Sequence, residues 1–340
     1  MTTDPQFDNR MFSRNQTSLS TLSRINNAIQ KQKAHGVVIA GDLTQNARLY
    51  DEFVYYEDAI KPFKHRVYDG MGNHDDTPAD FWQTVACYFK THECVARDKI
   101  INHLRSRPRQ EPVCLNDEGS VYAWKWEDIY FIQLGVFPGD KPDKQGWDPS
   151  VRPEKSLDFL KQQLSALPDK STPVFLFMHF DVDADIGSGG AWSYDQLDEF
   201  WEALDGYNIA MIFSGHIHAT CDYGLLKHFP RPKKLSKGPA SLPVMLGGAA
   251  LNGVYTQVGI DQNVVTLQRF CGDSETPANT RSFPIERSGK KIMTDSYWKE
   301  CPEKPERSDF YPWGEVGGGV AIAINLIIWA VVIYKIKKRC

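Results

Sequence analysis

Three things are missing from the 340 residues: a CxxC pair, an internal repeat and an excess of positive charge. Without CxxC, thiolate zinc sites of the finger or ribbon kind are excluded. Without a repeat, so are stacked-unit architectures. There are 43 acidic against 39 basic side chains, a formal net charge of −4. The chain therefore lacks the broad positive field on which non-specific nucleic-acid binding relies, which argues against a nucleic-acid partner. Met1-Thr2-Thr3-Asp4 carries no secretory signal. Hydrophobic residues at 41% and charged residues at 24% sit near the globular norm and exclude wholesale disorder.

What is present changes class at the C-terminus. From Val316 to Tyr334 runs VGGGVAIAINLIIWAVVIY, with Asn325 its only strongly polar side chain. At roughly 1.5 Å per residue this just crosses a hydrocarbon core of roughly 30 Å, so residues 316–334 are expected to form a single transmembrane helix. It shows no amphipathic stripe and stops at Lys335-Ile336-Lys337-Lys338-Arg339-Cys340. Residues 296–315, rich in Pro, Lys and Glu, read as a stalk, and residues 335–340 as a basic tail. The positive-inside rule puts that tail in the cytosol and the large domain, residues 1–295, in a lumen or outside. Lys337 and Lys338 resemble a dilysine retrieval signal, which points to the endoplasmic reticulum or early secretory pathway. The missing signal peptide points instead to a tail-anchored protein with a cytosolic domain. A recorded start downstream of the true one would reconcile the two.

Cys87, Cys94, Cys114, Cys221, Cys271 and Cys301 precede the apolar run. In a lumen they would permit three disulfides, with the pairing open. Asn15-Gln16-Thr17 is the one N-glycosylation triplet and fits a lumenal domain.

Leu19, Leu22, Ile25 and Ile29 repeat at helical spacing, and Val37–Ala40 reads as a buried strand. Leu49, Phe53, Tyr56 and Ile60 suggest a second helix, followed by a strand around Val67. This alternation argues for a layered α/β sheet. Residues 76–118 break the rhythm and read as an inserted lid or excursion, with Arg105, Arg107 and Arg109 on a solvated loop. A hairpin turns at Glu127-Asp128. A helix with Leu157, Leu160 and Leu164 precedes the strand Val174–Met178. Another, with Leu197, Phe200, Trp201 and Leu204, precedes the strand Ile209–Phe213. Strands near Val244 and from Tyr255 to Arg269 are expected to complete a second sheet.

Four polar clusters stand at the carboxyl ends of predicted strands: Gly41-Asp42, Gly72-Asn73-His74-Asp75, His179 and Gly215-His216-Ile217-His218. Ligands gather at such ends in α/β sheets. Four of the nine histidines fall in these clusters, so a chance distribution is a poor account. The types suit a two-metal hydrolase: a carboxylate to bridge, imidazoles and an amide oxygen to fill the shells, glycines for tight turns.

The order GD, GNHD, H, GHxH resembles the calcineurin-like metallophosphoesterase family, over about residues 4 to 270. The resemblance implies a four-layer α/β/β/α sandwich with a dinuclear centre of divalent ions (Mn, Mg, Fe or Zn). It implies that Asp42 bridges both metals, that His218 joins Asp4 and Gln6 on one, and that Asn73, His179 and His216 bind the other. A metal-bound hydroxide would attack phosphorus in line, and His74 would protonate the leaving oxygen as the catalytic acid. The family opens with Asp-x-His, whereas this chain has Asp4-Pro5-Gln6. A Gln oxygen is a harder, weaker ligand and favours Mg²⁺, Mn²⁺ or iron over zinc. A similar Asp-Pro-Gln opening occurs in a phosphoprotein phosphatase subgroup.

Asp181, Asp183 and Asp185 mimic the start of a calcium loop. Ile186 at the glycine position and Trp192 at the glutamate position exclude an EF-hand, leaving an acidic loop that could line the substrate pocket. The reading is a membrane-anchored phosphoester hydrolase acting on a monoester or diester, with a phosphorylated small molecule, lipid-linked group or protein as substrate. The rival is a non-catalytic membrane scaffold or pseudoenzyme keeping the same fold.

Overall fold

Val37–Ala40 (β1) and Val67–Gly70 (β2) are four-residue runs buried at every position, and they pair in parallel. Burial on both faces is what a parallel strand with helices or a second sheet on either side requires. The computed structural model describes residues 1–8, 12–45, 50–76, 96–139, 155–182, 193–222, 224–235, 239–261 and 263–285. The chain divides into two units, Met1–Pro302 and Glu303–Cys340. The second, and with it the expected transmembrane segment 316–334, lies outside the described residues. Among the described residues, no helix is long and apolar enough to cross a membrane.

Helix α1 (Phe12–Gln32) precedes β1, and α2 (Tyr50–Ile60) links β1 to β2. The short α3 (Asn73–Asp76) and α4 (Ala96–Ser106) follow. A seven-stranded sheet then forms in the order β3-β4-β5-β6-β7-β9-β8. Its strands are β3 (Cys114–Leu115), β4 (Tyr122–Trp126), β5 (Ile129–Gln133), β6 (Val174–Phe177), β7 (Ile209–Ser214), β8 (Leu226–Pro230) and β9 (Ser241–Leu246). The links β5–β6, β6–β7 and β7–β9 are parallel. Helix α5 (Ser156–Ser165) leads into β6 and α6 (Tyr194–Leu204) into β7. Helix α6 opens with a capping box in which Ser193 and Gln196 satisfy each other's backbone amides. Finally β10 (Val254–Asp261), β11 (Val264–Cys271) and β12 (Asn279–Pro284) make an antiparallel meander.

Residues 1–3 join this meander to β1. The Thr2 amide donates to the Val38 carbonyl (3.1 Å) and the Ala40 amide to the Thr2 carbonyl (3.2 Å). Met1 exchanges two hydrogen bonds with Thr256 of β10, 2.6 and 2.8 Å. Side-chain alternation then fixes the layers. Val37, Ile39 and Val67 cluster with Leu22, Ile25, Phe53, Tyr56 and Ile60 of the first two helices. Val38 and Tyr68 face the other sheet, where Tyr68 stacks on Trp124 at 4.6 Å. On the seven-stranded sheet, Ile132, Val174, Leu176 and Ile212 cluster with Leu157, Leu160, Leu197 and Phe200. Phe131, Phe175, Phe177 and Phe213 face inward. The order is helices, sheet, sheet, helices.

Several expectations change. The strand at Val244 joins the seven-stranded sheet through β7, whereas 255–269 forms a hairpin in the other sheet. Leu19 is exposed, and only the rest of its stripe is buried. Residues 77–95 of the expected excursion lie outside the described residues, but its second half is built in. Ile100 and Leu104 are core residues, and β3 extends the sheet beside β4. The arginine loop is not solvated throughout. The Arg107 and Arg109 side chains keep 9% and 1% exposure, because both turn onto buried Asp69. Arg107 binds Asp69 through Nε (3.1 Å) and Nη2 (2.9 Å) and also reaches Glu57 at 2.5 Å, while Tyr56 donates to Asp69 at 2.7 Å. Arg109 lies over the Tyr122 ring, 4.1 Å from its centre.

The glycosylation triplet lies within the first two turns of α1. Asn15 accepts from the Asp8 amide (2.9 Å) and donates to the Asp8 carbonyl (2.6 Å), so its amide is already in use. One disulfide, Cys221–Cys271, is described, and Cys114 is also disulfide-bonded.

Asp69→Ala would strand the buried Arg107 guanidinium without its bidentate partner. Urea unfolding of the full chain is expected to show a loss of about 3–5 kcal/mol. A loss within about 0.5 kcal/mol would mean that Glu57 alone carries that charge.

Candidate metal centre

Every polar cluster picked out above follows a buried strand. Asp4 follows the residue 1–3 bridge, Asp42 follows β1, Asn73 and His74 follow β2, His179 follows β6, and His216 and His218 follow β7. All converge on Asp42, which is 0% exposed. His179 Nε2 stands 3.2 Å from Asp42 Oδ1, the His74 amide donates to the same oxygen at 3.0 Å, and Gln6 Nε2 donates to Oδ2 at 2.8 Å. Asn73 Oδ1 lies 3.0 Å from His179 Nε2 and 3.1 Å from His216 Nδ1. His218 Nε2 is 3.6 Å from Asp4 Oδ1. The structure thus brings all eight sequence-selected residues to one place.

The backbone shows what this convergence costs. Among the described residues nine non-glycine positions have positive φ, and five of them are Asp4, Gln6, Asp42, His216 and His218. Each left-handed residue of this kind costs on the order of 1–3 kcal/mol, so the clustering marks a place where geometry outranks comfort. Two glycines permit the closest approaches. A Cβ on Gly41, at φ +85°, would lie 2.6 Å from His179 Nδ1, and one on Gly72 would lie 2.1 Å from Asp42 Oδ1.

Three supporting residues carried no role in the sequence reading. Asp75 accepts from the amides of Leu43 (3.0 Å), Thr44 (2.9 Å) and Gly72 (2.9 Å) and from the Thr44 hydroxyl (2.9 Å). It pins the Asp42 turn to the Asn73 turn, and its place in the quoted GNHD run was the available signal. Gln45 offers its carbonyl 2.7 Å from His74 Nδ1, and Thr3 donates to Asp4 Oδ2. Asp181 is not part of an open acidic wall. It is buried, paired with Lys227 of β8 and 3.4 Å from the Ser214 hydroxyl. Asp183, Asp185 and Trp192 lie outside the described residues.

Charge at the site is divided unevenly. Burial alone would raise Asp42, but neighbouring His179 overrides it and holds the carboxyl far below its ordinary range. Burial opposes the charge on His179, yet Asp42 lifts its pKa to about 9. Burial raises Asp4 to about 7 and lowers His216 to about 4. Donor atoms of Asp42, His179 and His216 lie within 4.8 Å of one another, and so do those of Asp4, Asp42 and His218. Asp4 Oδ1 and Gln6 Oε1 are buried with no hydrogen-bond partner. Orphaned buried oxygens beside an imidazole are what a cation site leaves when described without its ion, so the residues fit a metal pair. His179 Nδ1 lies 2.9 Å from the Ala40 carbonyl. Donation there fixes the tautomer and turns Nε2 toward Asp42, as a metal-ligating imidazole requires.

A fold of two packed sheets whose strand ends gather two carboxylate–imidazole groups around one shared aspartate defines a dinuclear hydrolase class. The calcineurin-like phosphoesterase family model matches residues 2–220, more than half of the chain, and the chain belongs to that family. It is a phosphoesterase of a family that binds a dinuclear metal centre. No curated protein sequence matches it. The fold is shared with a dimetal phosphatase from Danio rerio at 10% identity and TM-score 0.51, over 79% of this chain and 89% of that one. It is also shared with a purple acid phosphatase from yellow lupin at 15% identity and TM-score 0.53, over 86% of this chain. The match spans 53% of that longer protein.

Because Asp42 belongs to both donor groups, Asp42→Asn should abolish binding of both metal equivalents, whereas Asp4→Asn should abolish one. Metal per chain by mass spectrometry distinguishes the two, and one equivalent surviving in Asp42→Asn would refute the shared role. Protons compete with metal at His179 and Asp4. Lowering the pH from 9 toward 7 and below protonates both in turn, so affinity should fall with pH, and Mn²⁺ uptake at pH 7 should release protons. Calorimetry in buffers of differing ionisation enthalpy reads that release directly.

Proposed function

We propose that the chain is a metal-dependent phosphoester hydrolase with Asp42 as the ligand common to two divalent ions. The observation that carries this reading is Asp42's membership of both donor groups. Asn73, His179 and His216 would hold one ion, and Asp4, Gln6 and His218 the other. When bound, the ions supply an activated nucleophile and neutralise charge on the phosphoryl oxygens. The protein's own part is orientation and proton handling.

His74 is the proton donor of this reading. Its ring is about one-third exposed, with Nε2 4.0 Å from Asp42 Oδ2 and Nδ1 against the Gln45 carbonyl. Donation from Nδ1 to that carbonyl orients the ring, and the proton for the leaving oxygen would be the Nε2–H of the imidazolium, which keeps its Nδ1 proton as it gives that one up. Asp75 keeps the two turns in register, so that His74 and Asp42 approach a substrate together. The Asp-Pro-Gln opening favours a phosphomonoester, including phosphoprotein. Tethering through residues 316–334 favours a lipid-linked phosphodiester.

A lumenal, membrane-anchored setting in the early secretory pathway is part of the same proposal. The Cys221–Cys271 bridge supports it, since such bonds persist in oxidising compartments. The tail-anchored cytosolic arrangement predicts free thiols at both positions in cells. Thiol labelling before and after reduction decides between the two.

The activity test uses the purified full chain with Mn²⁺, Mg²⁺, Fe²⁺ or Zn²⁺ on a generic monoester and a generic diester. Metal-dependent turnover lost in Asp42→Asn is expected. His74→Ala should keep its metal and lose about 10²–10⁴-fold in kcat. A folded chain that binds no metal and hydrolyses neither ester would move the reading to the scaffold, whereas metal binding without turnover would point to a selective enzyme with a different substrate.

A further inference from the structure

Asp4 and His218 reach the metal centre from different sheets, and one short turn bonds to both of their backbones. It is the 3₁₀ turn Ala250–Asn252, just ahead of β10. The Ala250 amide donates to the Thr3 carbonyl (2.8 Å) and the Leu251 amide to the Asp4 carbonyl (3.3 Å). Toward the other sheet, the Ala249 amide donates to the Ala219 carbonyl (3.2 Å) and the Asn252 side chain to the His218 carbonyl (2.8 Å). The turn is itself anchored, since the Thr21 hydroxyl of α1 donates to the Ala250 carbonyl at 3.0 Å.

His218 needs that support. It lies in the connection 215–225 between β7 and β8 with φ +48°, a left-handed backbone that persists only where its surroundings enforce it. The Asn252 bond is exposed to water and therefore weak on its own. Three residues beyond His218, Cys221 is joined covalently to Cys271. Cys271 ends β11 and pairs with Val254, the first residue of β10, while the Gly272 amide donates to the Gly253 carbonyl (2.9 Å). The bridge thus fastens the His218 loop to the base of the turn that holds Asp4. His216 is fixed by other means. The Gly215 amide donates to the His179 carbonyl (2.9 Å), the Gly247 amide to the Ser214 carbonyl (2.7 Å), and Asn73 stands 3.1 Å from the His216 ring. None of these anchors runs through Cys221.

We propose that Cys221 and Cys271 are positioning residues for His218, and that their bridge makes the Asp4, Asp42 and His218 donor group redox-sensitive while the Asp42, His179 and His216 group is not. Both cysteines are half-buried between exposed neighbours, Thr220 and Asp222 on one side and Gly272 and Asp273 on the other, so a small dithiol can reach the bridge. Its thiolate attacks one cysteine sulfur and breaks the S–S bond, and its second sulfur then closes on the first. The dithiol leaves as a cyclic disulfide, and the two electrons and two protons it gives up leave Cys221 and Cys271 as thiols. With the bridge open, only the exposed Asn252 bond and the Ala249–Ala219 bond still hold the loop. This inference rests on the reading of Asp4, Asp42 and His218 as ligands of one ion, not on hydrolysis.

The test compares the full chain oxidised, reduced with dithiothreitol that is then removed under argon, and carrying Cys221→Ser with Cys271→Ser. Mn²⁺ is the probe, because thiols bind it poorly. In the reduced chain and the double variant the second Mn²⁺ equivalent should bind about 10–100-fold more weakly, as on loss of an outer-shell support, with the first unchanged. The electron paramagnetic resonance spectrum should pass from a coupled pair to an isolated ion, and reoxidation of the unaltered chain should restore the pair. Should the double variant fail to fold, reduction and reoxidation of the unaltered chain decide. Amide exchange gives a readout without metal: opening the bridge should speed exchange at Ala249 and leave Gly215 protected. If the oxidised chain takes up no Mn²⁺, the ligand reading fails, and the Ala249 amide still reports whether the bridge holds the loop. Retention of both equivalents with the bridge open, loss of both together, or unchanged exchange at Ala249 would overturn the proposal. So would a double variant that keeps both ions until it is reduced, which would assign the effect to the Cys114 bridge.

Discussion

One fully buried carboxylate governs this structure. Asp42 sits at the end of β1 with no exposure, and a lone ionised group there would be expensive to keep. The protein meets that cost with an ion pair to His179 at 3.2 Å, a hydrogen bond from the His74 amide and another from Gln6. The same contacts keep the proton on His179 and hold Asp42 ionised. The protein's own groups thus hold the carboxylate ionised and in place, an arrangement preorganised to receive a cation.

Preorganisation has a backbone cost, and the fold offsets it outside the site. Five left-handed non-glycine residues in one cluster would relax if their loops could move. Asp75 prevents this by gathering four donors from the Asp42 turn and the approach to Asn73. On the other sheet, Phe177 stacks on Phe213 with ring centres 4.7 Å apart, just before the turns that carry His179 and His216. The aromatic layer fixes where β6 and β7 end, and so fixes the spacing of their imidazoles. The Asp69–Arg107 pair does the same for β2.

The site was legible because its residues lie in short runs at strand ends, where each polar letter stands out against the apolar run before it. Asp42, Asn73, His179 and His216 could be read that way. Arg107 and Arg109 could not. An alternating arginine run looks solvated until one knows that Asp69 is buried across from it, and no local pattern reports a partner 38 residues away. Asp181 failed for the same reason, since its partner Lys227 lies on β8. The split of β9 and β10 between sheets was hidden because strand pairing is decided by which edge is free, not by the strand's own residues. The helices were easier. Their periodicity marks the buried face without reference to a partner, as in α6, where Leu197, Phe200, Trp201 and Leu204 are all buried.

The two sheets do not contribute equally to the metal centre. The seven-stranded sheet is continuous from β3 to β8, and its candidate ligands, His179 and His216, follow strands paired on both sides. The other sheet is held together by residues 1–3, and Asp4, the next residue, is a candidate ligand. Its carboxylate is buried and protonates near pH 7, so its readiness to bind a cation depends on how firmly that short bridge is held. The donor group of Asp4, Asp42 and His218 is therefore the one that leans on this bridge directly, whereas the group of Asp42, His179 and His216 reaches it only through the shared Asp42.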